Sequence, residues 1–105
     1  MALTFKRPLL SLILQGKKTQ TRRLPNNRQL QEGRIYAIID DWTEGPKGYV
    51  RIIRKFQQRL GDITIADIRK EGFNTLEEFK AIWEKLYGEW NPNQTVIVYE
   101  FELIA

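Results

Sequence analysis

The chain has 105 residues, 42% hydrophobic and 29% charged, a balance that suits one compact globular domain rather than a disordered segment. It has no cysteine and no histidine, which excludes disulfides, thiolate nucleophiles, Ser-His-Asp and Cys-His triads and nearly all transition-metal sites. Any catalysis would therefore use Lys, Arg, Asp, Glu, Ser, Thr or Tyr. A carboxylate-only Mg²⁺ site stays open but has no motif here, and no metal and no cofactor is expected.

The charge is uneven. Residues 1–34 carry Lys6, Arg7, Lys17, Lys18, Arg22, Arg23, Arg28 and Arg34 against Glu32 alone, a net +7, and the remainder nets −3. A basic front end on a mildly acidic body fits either a solvated surface or an anionic partner, of which phosphates are the commonest.

In chain order, "RPLLSLILQG" reads as a short helix, with Pro8 in the first turn and Gly16 just past the end. Its apolar run, Leu9 to Leu14, is too short to span a bilayer, so a soluble, cytoplasmic protein without membrane contact is expected. "KKTQTRRL" reads as extended and "NNRQLQEG" as a polar loop. "RIYAIID" is a strand, and "DDWTEGPKG" is a turn-rich connection. "YVRIIRKFQQR", between Gly48 and Gly61, is a longer strand with Val50, Ile52, Ile53 and Phe56 inward or half-buried.

"TIADIRKEG" is a short helix with Thr64 and Asp67 at capping-box spacing and Gly72 at its close. "NTLEEFKAIWEKLYG" is a helix capped by Asn74 or Thr75, with Glu77 or Glu78 completing the box. Its core stripe is Leu76, Phe79, Ile82, Trp83 and Leu86, and Gly88 ends it. "QTVIVYEFEL" is a closing strand with Thr95, Ile97, Tyr99, Phe101 and Leu103 on one face and Glu100 and Glu102 on the other. The order helix, three strands, two helices, strand predicts an α+β domain around a small curled or barrel-like sheet.

The run "GKKTQTRR", Gly16 to Arg23, concentrates four cations and two threonines directly after the apolar helix. Together with "EGRIYAI", "KEGFNTLEEF" and the closing "VIVYEFEL", it makes the whole chain, residues 1–105, resemble a single ASCH domain. That resemblance implies a PUA-like β-barrel with inserted and flanking helices and a basic cleft around Gly16–Arg23 that faces RNA or a modified nucleoside. Some small members of the family are N4-acetylcytidine amidohydrolases, and others are described as ribonucleases or RNA binders. Transferred to this sequence, the amidohydrolase residues fall on Lys18, Thr21 and Glu71, with Lys17, Arg22 and Arg23 as nucleic-acid or substrate contacts.

The chemistry is coherent. A threonine hydroxyl needs a base, and a lysine whose pKa is lowered by burial or nearby cations can be that base. Strict strand alternation raises an objection. It groups Lys17, Thr19, Thr21 and Arg23 on one face and Lys18, Gln20 and Arg22 on the other. Lys18 and Thr21 meet only if the strand begins after Lys18 or a bulge intervenes. Trp42, Tyr87 and Trp90 fall in or near loops, where an aromatic can stack on a base or simply pack. Four readings stay open: an RNA- or nucleoside-binding module, an amidohydrolase, a ribonuclease, and a structural or protein-interaction domain.

Overall fold

A computed structural model describes residues 2–26, 29–40 and 45–105. Its elements are β1 (Ala2–Phe5), α1 (Arg7–Leu14), β2 (Gln20–Arg23), β3 (Ile35–Asp40), β4 (Gly48–Arg59), a 3₁₀ turn (Leu60–Asp62), α2 (Ile65–Lys70), α3 (Leu76–Tyr87) and β5 (Thr95–Leu103). The α+β class and the seven expected elements are present. β1 is additional: a four-residue strand, with Leu3 and Phe5 buried and Ala2 and Thr4 exposed, is too short for period-two alternation to stand out.

The five strands form one mixed sheet in the order β1-β3-β4-β5-β2. β1 runs parallel to β3, and the other pairs are antiparallel. The expected barrel is not formed, because the sheet does not close. Among the described residues no ladder joins the edge strands β1 and β2. Arg23 spans the gap instead, donating from Nη2 to the Thr4 carbonyl at 2.9 Å.

Both faces of the sheet are covered. Ile97, Tyr99 and Phe101 point into a core shared with Leu9, Leu10 and Ile13 of α1. Val96 and Val98 point the other way, into a core with Ile68 of α2 and Phe79 and Trp83 of α3. That double burial is why β5 is apolar on both sides over 96–98, where simple alternation expected a single inward face. Two expected inward positions are also corrected. Ile53 is 57% exposed, because a register shift between Ile52 and Arg54 turns it outward. Leu103 is 41% exposed at the strand's end.

The helix ends behave as their sequences require. Thr64 with Asp67, and Thr75 with Glu78, form reciprocal capping boxes on α2 and α3. Gly88 ends α3 in the left-handed conformation, at φ 93°. Among the described residues no helix is long and apolar enough to cross a membrane.

Candidate functional site

The run after α1 leaves helical geometry in a way that settles the strand-alternation objection. Past Gly16, at φ 76°, the amides of Lys17 and Lys18 both donate to the Leu12 carbonyl, at 2.9 and 3.1 Å. Lys18 is thus held against the helix end, and sheet pairing starts only at Gln20, opposite Glu100. The period of two does not reach back to Lys18. As a result Lys18 and Thr21 line the same pocket.

Glu71 arrives from the C-terminal cap of α2. Gly72, at φ 98°, lets the chain turn there, and a Cβ on it would lie 2.9 Å from Leu12 Cδ1. Its lack of a side chain therefore allows the end of α2 to press against the segment carrying Lys18.

The side chains then interlock. Lys18 Nζ donates to Glu71 Oε1 at 2.6 Å, to the Gln20 carbonyl at 3.0 Å and to the Glu71 carbonyl at 3.3 Å. Three ammonium protons meet three acceptors. The second Glu71 oxygen, Oε2, accepts from Arg22 Nη1 at 2.9 Å. Arg22 Nη2 pairs with Asp67 Oδ2 at 3.2 Å. Gln58 Oε1 accepts from Arg22 Nε and Nη2, and Gln20 Oε1 accepts from Nη1. Lys18, Arg22 and Glu71 are each 3% exposed and Thr21 is 4%. Among the described residues no buried side-chain nitrogen or oxygen lacks a partner, so the network is complete.

Thr21 Oγ1 accepts from Arg23 Nε at 3.3 Å. The Arg23 guanidinium lies over the Phe5 ring, 4.7 Å from its centroid, within cation–π range. Burial is the main force lowering the Lys18 pKa below its ordinary 10.5. Glu71 opposes the shift, and the charges of Arg23 and Arg22 add to it. Burial likewise lowers Arg23 and raises the Tyr87 phenol.

The pocket holds about 190 Å³, below the roughly 300–1,000 Å³ of sites for drug-sized ligands. Its polar floor is Lys18, Thr21, Arg22, Arg23 and Glu71. Its apolar walls come from Phe5 and Leu9 on one side and Phe73, Phe79, Trp83 and Tyr87 on the other.

The structure sorts the sequence candidates plainly. Lys18, Thr21, Glu71, Arg22 and Arg23 converge, whereas Lys17 is exposed and does not line the pocket. Arg22, expected to contact a ligand, has a side chain that is 0% exposed and spends its donors on Glu71, Asp67, Gln58 and Gln20. These bonds hold the Glu71 carboxylate, and Arg22 also borders the pocket. Of the expected stacking aromatics, Tyr87 lines the pocket, 4.3 Å from the Trp83 ring. Trp90 instead packs edge-on against Phe79 under Lys80, and Trp42 lies outside the described residues. Leu86, assigned to the core stripe, is 41% exposed and belongs to the pocket wall.

Sequence reasoning missed Phe5, Asp67 and Gln58. A signal existed for Asp67: it precedes Glu71 by four residues on α2, a like-charge spacing that is unfavourable on a helix unless a cation lies between. Arg22 is that cation. Among the described residues no group of three or more carboxylates converges as a metal cage would require, and Glu71 and Asp67 are both engaged by cations.

Comparison with known proteins places the chain by family and fold. The sequence pattern described as ASCH domain matches residues 2–105. A comparison with functionally curated proteins found no match. Among solved structures, an ASCH domain from Lactobacillus crispatus superposes with a TM-score of 0.80 at 13% identity, covering 91% of this chain and 70% of that one. A protein from Enterococcus faecalis gives 0.74 at 18% identity, covering 99% and 76%. A mutant of the ASCH protein from Zymomonas mobilis gives 0.69 at 12%, covering 96% and 67%. At these identities the likeness concerns the fold.

Proposed function

The chain belongs to the ASCH domain family, and from that premise we propose that it binds a nucleoside base in the Lys18–Thr21–Glu71 pocket and hydrolyses an amide on it, N4-acetylcytidine being the substrate class. One observation carries this reading: the lysine, threonine and carboxylate lie at the floor of a single small pocket, with the 2.6 Å Lys18–Glu71 contact beneath it. The aromatic walls suit a flat, uncharged base. The floor does not resemble a surface that tracks a phosphate backbone, because Lys18 and Arg22 are already matched by Glu71 and Asp67.

In this reading Lys18 acts in its neutral form, which burial favours. Thr21 Oγ bonds to the acyl carbon as its proton passes to Lys18 Nζ. The bond to the exocyclic nitrogen of the base breaks, and that nitrogen takes the proton from Lys18. Water then attacks the threonine ester, releases the carboxylic acid and restores Thr21. Arg23, donating to Thr21 Oγ1, stabilises negative charge that develops on that oxygen. Glu71 holds Lys18 in place.

The test is incubation with N4-acetylcytidine and chromatographic detection of cytidine, with Lys18→Ala alongside and its fold checked by circular dichroism. Conversion by the wild type and none by a folded variant is expected. No conversion at stoichiometric enzyme would sink the hydrolytic reading and leave nucleoside or RNA binding without turnover. Shortening of an RNA substrate instead would point to a ribonuclease.

A further inference from the structure

The wall that α3 gives to the pocket is Phe79, Ile82, Trp83, Leu86 and Tyr87. Of these only Trp83 and Tyr87 carry a polar group, and Tyr87 alone carries a hydroxyl. It is the last residue of the helix, directly before the left-handed Gly88. Its ring lies 4.3 Å from that of Trp83, a side chain only 4% exposed, whereas Tyr87 itself is 38% exposed. A buried indole thus steadies a phenol that a ligand in the pocket can reach.

The tyrosine hydroxyls are spent differently. That of Tyr36 accepts from the Gln31 amide at 2.8 Å and that of Tyr99 from the Leu30 amide at 3.2 Å, so both brace the segment 30–31. The Tyr87 hydroxyl has no hydrogen-bond partner among the described residues. On the pocket floor the Lys18 ammonium already meets three acceptors, and both Glu71 carboxylate oxygens accept from cations. Tyr87 therefore brings an unspent donor to a pocket whose lysine and carboxylate are already paired. The phenol is also within electrostatic reach of that floor. Burial raises its pKa above the ordinary 10.0, the Arg23 charge lowers it and the Glu71 charge raises it. At neutral pH it is a neutral O–H donor.

We propose that Tyr87 is the oxyanion donor of this site, its O–H meeting the acyl carbonyl oxygen of the bound amide. This deepens the hydrolytic reading and rests on it. As Thr21 Oγ bonds to the acyl carbon, the π pair of the carbonyl moves onto the carbonyl oxygen, and the phenol stabilises the charge there while keeping its own proton. When the carbonyl re-forms, the bond to the exocyclic nitrogen breaks and that nitrogen takes the proton from Lys18. Two oxygens are then served by two groups. Arg23 donates to Thr21 Oγ1, and Tyr87 donates to the oxygen on which the acyl charge collects.

Steady-state hydrolysis of N4-acetylcytidine by the wild type and Tyr87→Phe tests it, with cytidine as a product inhibitor of both. Phenylalanine keeps the ring beside Trp83, and the lost hydroxyl has no partner in the protein, so the melting temperature should not change. The kcat is expected to fall roughly tenfold to a hundredfold, less than for a fully buried oxyanion donor, with KM within about twofold of the wild type. Cytidine has no acyl oxygen, so its inhibition constant should stay the same. The pH at which the rate rises should also stay, since Tyr87 is not among the charges acting on Lys18. A kcat equal to the wild type's, weaker inhibition by cytidine, or a rise displaced in pH would overturn the inference, the last two by making the phenol a base contact or a proton carrier. In each of those cases the wild type still turns over and the hydrolytic reading stands. Absence of turnover by the wild type would overturn both.

Discussion

The middle of the sheet and its open gap are held together by opposite means. Between β4 and β5 the backbones pair from Val50–Leu103 to Arg59–Thr95, and Val50, Ile52, Val96 and Val98 have 0% exposure. Between β1 and β2 no ladder forms; Arg23 joins them through the Thr4 carbonyl and the Phe5 ring, and a buried ion network ties the β2 side to Glu71 at the end of α2. The centre is fixed by main-chain bonds and area, which are indifferent to chemistry. The gap is fixed by side chains that carry protons and charge. A sheet that stops short of closing exposes these groups to a pocket, and the candidate site lies there.

The contrast can be broken most severely at Glu71. Glu71→Leu strips Lys18 of its carboxylate and Arg22 of one of its two, and removing one partner of a buried pair costs about 3–5 kcal/mol. Chemical denaturation should show that loss, and the variant should not hydrolyse N4-acetylcytidine. Ile52→Ala, in the centre, should cost about 2–5 kcal/mol by leaving a cavity. At temperatures where it stays folded, it should keep its turnover. If Ile52→Ala abolished catalysis under those conditions, the separation between centre and gap would fail.

A finer test uses pH. Burial lowers Lys18, and Arg23 adds to the lowering while Glu71 opposes it. The rate should therefore rise with pH through a Lys18 value below 10.5. Arg23→Gln removes a lowering charge and should move that rise to higher pH, whereas Glu71→Gln should move it to lower pH. The same shift bears on stability. The folded state releases the Lys18 proton before the unfolded chain does, so the unfolded chain holds more protons, and this contribution grows more favourable with pH between the lowered value and 10.5. Tyr87, raised from 10.0 by burial, acts in the opposite sense above pH 10, so melting curves should be compared below it. The smallest effect belongs to the outward Ile53. Ile53→Thr should change stability by no more than about 0.5 kcal/mol, and a larger loss would mean that the bulge holds something on its outer side.

Most elements were legible in the sequence because their signals are local. Thr64, Thr75 and Gly88 mark helix ends, and Phe79 and Trp83 mark a buried stripe. The site was legible only through the family resemblance, since alternation alone placed Lys18 and Thr21 apart. What reunites them is the pair of hydrogen bonds that the Lys17 and Lys18 amides donate to the Leu12 carbonyl, a detail with no periodic trace. The functions of the arginines were not legible at all. Arg22 and Arg23 are adjacent and chemically identical and both border the pocket, and only the three-dimensional neighbours give one to Glu71 and Asp67 and the other to Thr21 and Phe5. The open sheet was equally hidden, because closure depends on how two four-residue edges meet rather than on what either contains.

The pairing of β2 with β5 sets a timetable. Thr21 lies opposite Tyr99 and Gln20 opposite Glu100, so the segment bearing two of the three candidate catalytic groups waits for a strand some eighty positions later in the chain. Contacts of such separation form late, because the loop between them must first be closed. As the chain emerges from a ribosome, its helices and the β3–β4 hairpin can take shape while Lys18 and Thr21 are still unplaced. Competence for any chemistry at this site then arrives in one step, with the last strand.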